Sequence, residues 1–198
     1  MWAVPADVRR QPAALDLANR RSWMSPASVL RAAVVATGHH GCVPYAFRAI
    51  EPGDAAFLLE MLRLTVAWQL VPTADGMPPP VLVPPYAFDD LGRPGDGGVV
   101  VTYDGDPAGA CWYRLNLSAR EYDDAPVPEL LLAVRPEHRA HGIGGQLLDR
   151  GIEHARAAGY PAIDLVVELD NPARGMYERR GFEPLGGVPD ARDMRKVL

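Results

Sequence analysis

The chain has 198 residues, a formal net charge of −5 at pH 7 and an isoelectric point near 5.5. That length holds one respectable hydrophobic core, and the acidic balance argues against a general binder of nucleic acid or anionic membrane, either of which needs a basic face to neutralise phosphates. No stretch approaches the ~20 apolar residues of a membrane span, the N-terminus lacks a basic region followed by an apolar run, and Cys42 and Cys111 show no Cys-x-x-Cys or Cys/His spacing, so the expectation is a soluble, cytoplasmic protein with reduced thiols.

Residues 1–44 show no hydrophobic period and are taken as an N-terminal extension of unknown structure, packed on the domain, packed on a second copy in a homodimer, or left as a tail. The run His39-His40-Gly41-Cys42 has no partner ligands at a plausible spacing, and no metal is expected. One domain is predicted from residue 45 to residue 198. Within it Phe47 to Ile50 alternate as a strand, Pro52-Gly53-Asp54 starts a helix, and Phe57, Leu58, Met61 and Leu62 carry it at helical spacing toward Trp68. Prolines at 72, 78–80, 84, 85 and 94 forbid a long regular helix and favour an extended loop between 71 and 96.

Residues 99–103 and 108–115, joined by Asp104-Gly105-Asp106, read as a hairpin. After a polar loop through Asp124, residues 130–134 have the continuous apolarity of a central strand buried on both faces. That strand runs into Arg139-Ala140-His141-Gly142-Ile143-Gly144-Gly145, the opening of a helix with Ile143, Leu147, Leu148, Ile152 and Ala155 on one face and Gly159 at its end. Unpaired N–H groups at a helix start, with glycines lacking the Cβ that would hold a phosphate away, form an anion cradle suited to a diphosphate. No Lys-Ser/Thr follows, so it is not a Walker loop, and the glycine spacing is not that of a dinucleotide fingerprint.

A further strand alternates through Ile163, Leu165, Val167 and Leu169, with Asp164 and Glu168 on what reads as an exposed face. Asn171 is then a good N-cap, Pro172 suits the first helical position, and Ala173, Met176, Tyr177 and Arg180 recur at helical spacing before Gly181. Strands are expected over 182–185 and 191–197. This order predicts a mixed α/β fold in which a strand–helix–strand unit makes a right-handed parallel crossover inside a largely antiparallel sheet.

The pattern Arg139-x-x-Gly142-x-Gly144 resembles the Gln/Arg-x-x-Gly-x-Gly/Ala segment of the GCN5-related N-acetyltransferase (GNAT) family. Residues 171–182, Asn-Pro-Ala-Arg-Gly-Met-Tyr-Glu-Arg-Arg-Gly-Phe, look like the family's second segment, with Ala173 one residue early. The resemblance is specific from Leu130 to Phe182, and it implies the acyl-CoA N-acyltransferase (GNAT) fold with acetyl-coenzyme A as cofactor. It further implies that Arg139, Ala140, His141, Gly142, Ile143, Gly144 and Gly145 hold the diphosphate. The backbone of Leu132, Ala133 and Val134 would pair with the pantetheine arm, and Asn171 and Tyr177 would lie beside it. Tyr177, a phenol of reference pKa ~10, becomes the general acid for the departing thiolate, and Glu129 a candidate general base for the amine. Tyr86, Phe88, Asp89 and Asp90 fall where the family's acceptor site is bordered. The implied activity is acetyl transfer to a primary amine of a small molecule, peptide or protein; a non-catalytic acyl-coenzyme A binding or sensing module is the alternative. Acetylation of aminoacyl-tRNA would want a basic face, which the net charge disfavours.

Overall fold

The computed structural model describes residues 45–67, 91–93, 95–115, 120–187 and 192–198. The expectations for residues 1–44, and for Tyr86, Phe88, Asp89 and Asp90, lie outside the described residues. In chain order the elements are β1 (Tyr45–Ala49), α1 (Ala55–Ala67), β2 (Gly97–Tyr103), β3 (Asp106–Arg114), β4 (Glu121–Tyr122), β5 (Ala125–Pro126), β6 (Glu129–Val134), α2 (Ile143–Ala157), β7 (Ala162–Val166), α3 (Arg174–Glu178), β8 (Glu183–Pro184) and β9 (Asp193–Val197). Seven strands form one sheet in the order β1-β2-β3-β6-β7-β9-β8, and every pairing is antiparallel except β6 with β7. The crossover through α2 is therefore the parallel step that the sequence predicts.

Alternation along the strands divides the core into two layers. On one face Leu58, Met61 and Leu62 of α1 pack on Val100, Ala110, Trp112 and Ala133. On the other, Ile143, Leu147, Leu148 and Ile152 of α2 pack on Val99, Val101, Cys111, Tyr113, Leu130 and Leu165. Each of these large side chains contributes on the order of 1.5–3 kcal/mol by leaving water. Gly151 brings α2 close to β3, because a Cβ there would collide with the Cys111 sulfur.

Local chemistry sets the helix ends. A 3-10 turn over Pro52–Asp54 leads into α1; the Glu51 N–H donates to Asp54 Oδ2 at 2.8 Å, and Arg48 grips the same buried carboxylate at 2.7 Å through each Nη. At the far end of α2, Gly159 is left-handed (φ 85°), its N–H donates to Arg156 O and the Tyr160 N–H to Ala155 O, a Schellman termination.

Four expectations need correction. The polar segment before Asp124 is not all loop: β4 and β5 form a small hairpin turned by Asp123 and Asp124, both at positive φ. The strand from Ile163 stops at Val166, and Leu169 is 50% exposed. Strand β6 is buried at Leu130 and Ala133 but only half-buried at Leu131, Leu132 and Val134, since β7 diverges from it. Asp164 is not on an exposed face; it is 4% exposed and fixed by Arg195 at 2.7 and 2.8 Å.

Candidate functional site

Strands β6 and β7 share a single register pair, Glu129 with Asp164. On its other side β6 pairs with β3 along its whole length, and the Arg135 N–H continues that ladder to Ala108 O at 2.9 Å. In an antiparallel ladder the groups of alternate residues face opposite sides, so Leu130, Leu132 and Val134 turn their backbone toward β7. Beyond the one pair, no β7 residue is in register with them, and the Ala133 backbone, expected to pair with the pantetheine arm, faces β3 opposite Ala110 instead. The Val134 carbonyl is already engaged, accepting from Arg139 Nε at 3.0 Å. The Leu132 amide and carbonyl and the Val134 amide thus line a wedge-shaped opening in the sheet.

The cradle lies at the wide end of that wedge. After a 3-10 turn over Pro136–His138 the chain passes through Ala140 (φ 62°) and Gly142 (φ 74°), both left-handed, before α2 begins at Ile143. A left-handed alanine costs roughly 1–2 kcal/mol, and the two reversals together place the first turn of α2 at the mouth of the wedge. Gly142 occupies the N-cap and supplies no side-chain cap. The N–H groups of Ile143, Gly144 and Gly145 accordingly have no partner within the helix. A Cβ on Gly142 would meet nothing within 4 Å, and one on Gly144 only Val134 Cγ2 at 3.9 Å. The loop is open space edged with donors, which fits a diphosphate. His138 is not aimed into it: its Nδ1 lies 3.2 Å from the Tyr45 hydroxyl, and its ring packs on Tyr103. His141 is exposed.

Tyr177 is brought to the same region by α3 and is 8% exposed. The helix ends in a second Schellman motif: Gly181 is left-handed (φ 78°), its N–H donates to Glu178 O at 2.9 Å, and the Phe182 N–H donates to Tyr177 O at 3.2 Å. The Phe182 ring meets the Tyr177 ring edge-on, centroids 5.8 Å apart, the apolar contact that accompanies such a motif. Burial, with a smaller contribution from neighbouring Cys111, pushes the phenol well above its ordinary pKa, so the hydroxyl keeps its proton. Asn171 does not cap α3 itself. Its Oδ1 accepts from the Ala173 N–H at 2.9 Å and its carbonyl from the Arg174 N–H at 3.0 Å, building a turn that delivers the chain to a helix whose N-cap is Ala173.

Glu129 stands at the closed end of the wedge, on the same face as its register partner Asp164. Asp164 is neutralised by Arg195 and lies 3.5 Å from Arg120, which also pairs with Asp193 at 3.1 Å; Glu168 bonds Arg192 at 3.0 Å. Sequence reasoning missed one neighbour of the cradle. The Arg180 guanidinium rests against the bare backbone of Gly145 and bonds Asp149 at 2.6 and 3.0 Å. Its helical spacing from Tyr177 was legible, but the contact with α2 is tertiary.

A mixed sheet opened between two parallel strands, with an uncapped helix start at the opening, is the architecture of the acyl-coenzyme A N-acyltransferase fold. The family model described as Acetyltransferase (GNAT) family matches residues 64–182, and the chain belongs to that family. Membership makes it an acetyltransferase with acetyl-coenzyme A as acyl donor. An uncharacterized N-acetyltransferase, YjhQ of Escherichia coli K12, is 29% identical over 153 residues, covering 76% of this chain and 74% of that protein. A mycothiol acetyltransferase of Geodermatophilus obscurus is 33% identical over 87 residues, covering 43% of this chain but only 28% of that protein. Among solved structures, yncA of Salmonella typhimurium with acetyl-CoA superposes with a TM-score of 0.56 at 20% identity, covering 78% of this chain and 94% of that one. PaiA N-acetyltransferase of Thermoplasma acidophilum in complex with coenzyme A gives 0.55 at 18%, covering 78% and 99%. At these identities the structural likeness speaks for the fold.

Proposed function

We propose that the chain transfers an acetyl group from acetyl-coenzyme A to a primary amine of a small molecule, peptide or protein, with residues 45–198 as one catalytic domain. The observation that carries this reading is the wedge between β6 and β7, with the donor-lined start of α2 at its mouth and Tyr177 packed beside it. When bound, acetyl-coenzyme A supplies an activated thioester. The loop of residues 139–145 offers the backbone N–H groups of Ile143, Gly144 and Gly145 to the diphosphate, and Arg139 braces that loop onto β6 through the Val134 carbonyl. The free backbone groups of Leu132 and Val134 align the arm, and an amide there stabilises charge developing on the carbonyl oxygen. Tyr177 hands its proton toward the departing sulfur. Asn171 shapes the turn that sets α3, and Glu129 accepts a proton from the amine, directly or through water. Tyr86, Phe88, Asp89 and Asp90 are proposed to border the acceptor.

No helix among the described residues is long and apolar enough to cross a membrane. A thiol-release screen with acetyl-coenzyme A against polyamines, aminoglycosides, amino acids and N-terminal peptides tests activity and acceptor together. Acceptor-dependent release with at least one amine class is expected, and it should vanish in a folded Gly142→Val variant, where a bulky side chain strains a left-handed position at the cradle. Release confined to thiol or hydroxyl acceptors would overturn the amine assignment.

A further inference from the structure

We propose that Arg180 is a direct ligand of the diphosphate, held ready by Asp149 and seated by Gly145; this rests on reading residues 139–145 as the diphosphate cradle. The guanidinium lies where a side chain at position 145 would begin: an ideal Cβ there would be 2.7 Å from Nη2 and 3.5 Å from Cζ. Gly145 falls outside the Arg-x-x-Gly-x-Gly pattern, and the contact accounts for a glycine there, because α2 leaves room for a cation at its first turn. The start of a helix carries positive partial charge, and Asp149 offsets the repulsion this cation would otherwise meet there. An anion bound at the helix start would be attracted both by that partial charge and by the guanidinium beside it.

The orientation suits the task. Nε and Nη2 donate to the two Asp149 oxygens at 2.6 and 3.0 Å, and Nη1 donates to the Met176 carbonyl at 3.4 Å. Of the five N–H groups of a guanidinium these engage three, leaving one on Nη1 and one on Nη2, and Nη2 is the atom nearest the Gly145 backbone. The side chain is 24% exposed and therefore reachable. Asp149 is a positioning residue: it sits on α2 itself, so the guanidinium moves with the N–H groups it supplements.

Calorimetry on the full chain with coenzyme A, 3′-dephospho-coenzyme A and pantetheine separates the alternatives. Arg180→Met should raise Kd about tenfold to hundredfold for both diphosphate-bearing ligands, the scale of a lost charge-assisted hydrogen bond, and leave pantetheine unchanged. Gly145→Ala, at a helical position where alanine is the better helix former, displaces the guanidinium without removing it. It should weaken coenzyme A binding in the unaltered chain and add nothing in the Arg180→Met background. Retained coenzyme A affinity in Arg180→Met, or an equal loss for pantetheine, overturns the assignment and leaves Arg180 as a tie between α3 and α2. So does a loss confined to coenzyme A, which would place the contact on the 3′-phosphate. Should the unaltered chain bind none of the three ligands, the cradle reading falls, and this assignment with it.

Discussion

At Tyr177 a single side chain packs in the core and is the proposed proton donor, and the two contributions separate by atom. The ring meets Phe182 and is buried with the core around Cys111 and Leu147, so removing only the hydroxyl leaves the packing in place. General acid catalysis typically contributes ~100-fold to 10,000-fold; Tyr177→Phe should therefore lower kcat by at least about tenfold while coenzyme A affinity, read by calorimetry, stays nearly unchanged. Because burial raises the phenol pKa, its neutral, proton-donating form persists to higher pH than that of a free tyrosine. The kcat profile of the unaltered enzyme should accordingly show no alkaline limb from this group below about pH 10, the reference value. Full activity in Tyr177→Phe would assign protonation of the sulfur to water or another residue.

Helix α3 spans only Arg174–Glu178 and owes its definition to its two ends. The Asn171 turn sets its entry and the Schellman motif at Gly181 its exit. Gly181→Ala forces a Cβ onto a left-handed residue and toward Lys196 Nζ, 3.2 Å away, and should cost roughly 1–2 kcal/mol in chemical denaturation. Its effect on kcat should exceed what that loss of stability explains, since the Tyr177 carbonyl is part of the motif. Glu178→Ala removes an exposed pair with Arg174 and should stay within about 0.5 kcal/mol; equal destabilisation by both changes would remove the special place of the glycine. The exit was legible because Gly181 ends the helix through hydrogen bonds a few residues apart, whereas the entry was read too early, since Asn171 builds the turn ahead of an N-cap at Ala173. The seat of Arg180 on Gly145 was not legible, nor the pairing of Asp164 with Arg195, since alternation assigns a residue to a face without naming what covers it.

At the scale of the molecule the two-layer α/β architecture was legible from period and punctuation, whereas the opening in the sheet was implied only by the family resemblance. The apolar run of β6 would suit any central strand, and the wedge arises from the path of β7 rather than from β6 itself. Away from the wedge, α2 also carries a titratable device. His154 Nδ1 lies 2.8 Å from the hydroxyl of Tyr113, whose ring packs on Tyr160, and burial lowers the His154 pKa below its usual value near 6.5. The folded state therefore binds this proton less readily than the unfolded chain, so the stability this group contributes is intact above about pH 6.5 and declines as the pH falls below it. In denaturation series from pH 7.5 to about pH 5.5, the gap between the unaltered protein and His154→Gln should narrow as the pH falls; parallel curves would remove His154 from the acid response. The single rung between β6 and β7 also acts as a filter on shape. Exposed strand edges invite pairing with other chains, and this one lies inside the sheet with α2 packed over one face. A polypeptide strand entering the wedge would drive every second side chain into that helix, whereas a slender linker that keeps its amides but has no side chains to alternate can slide in. The missing rungs thus make an edge that the enzyme can offer to its cofactor while shielding it from other proteins.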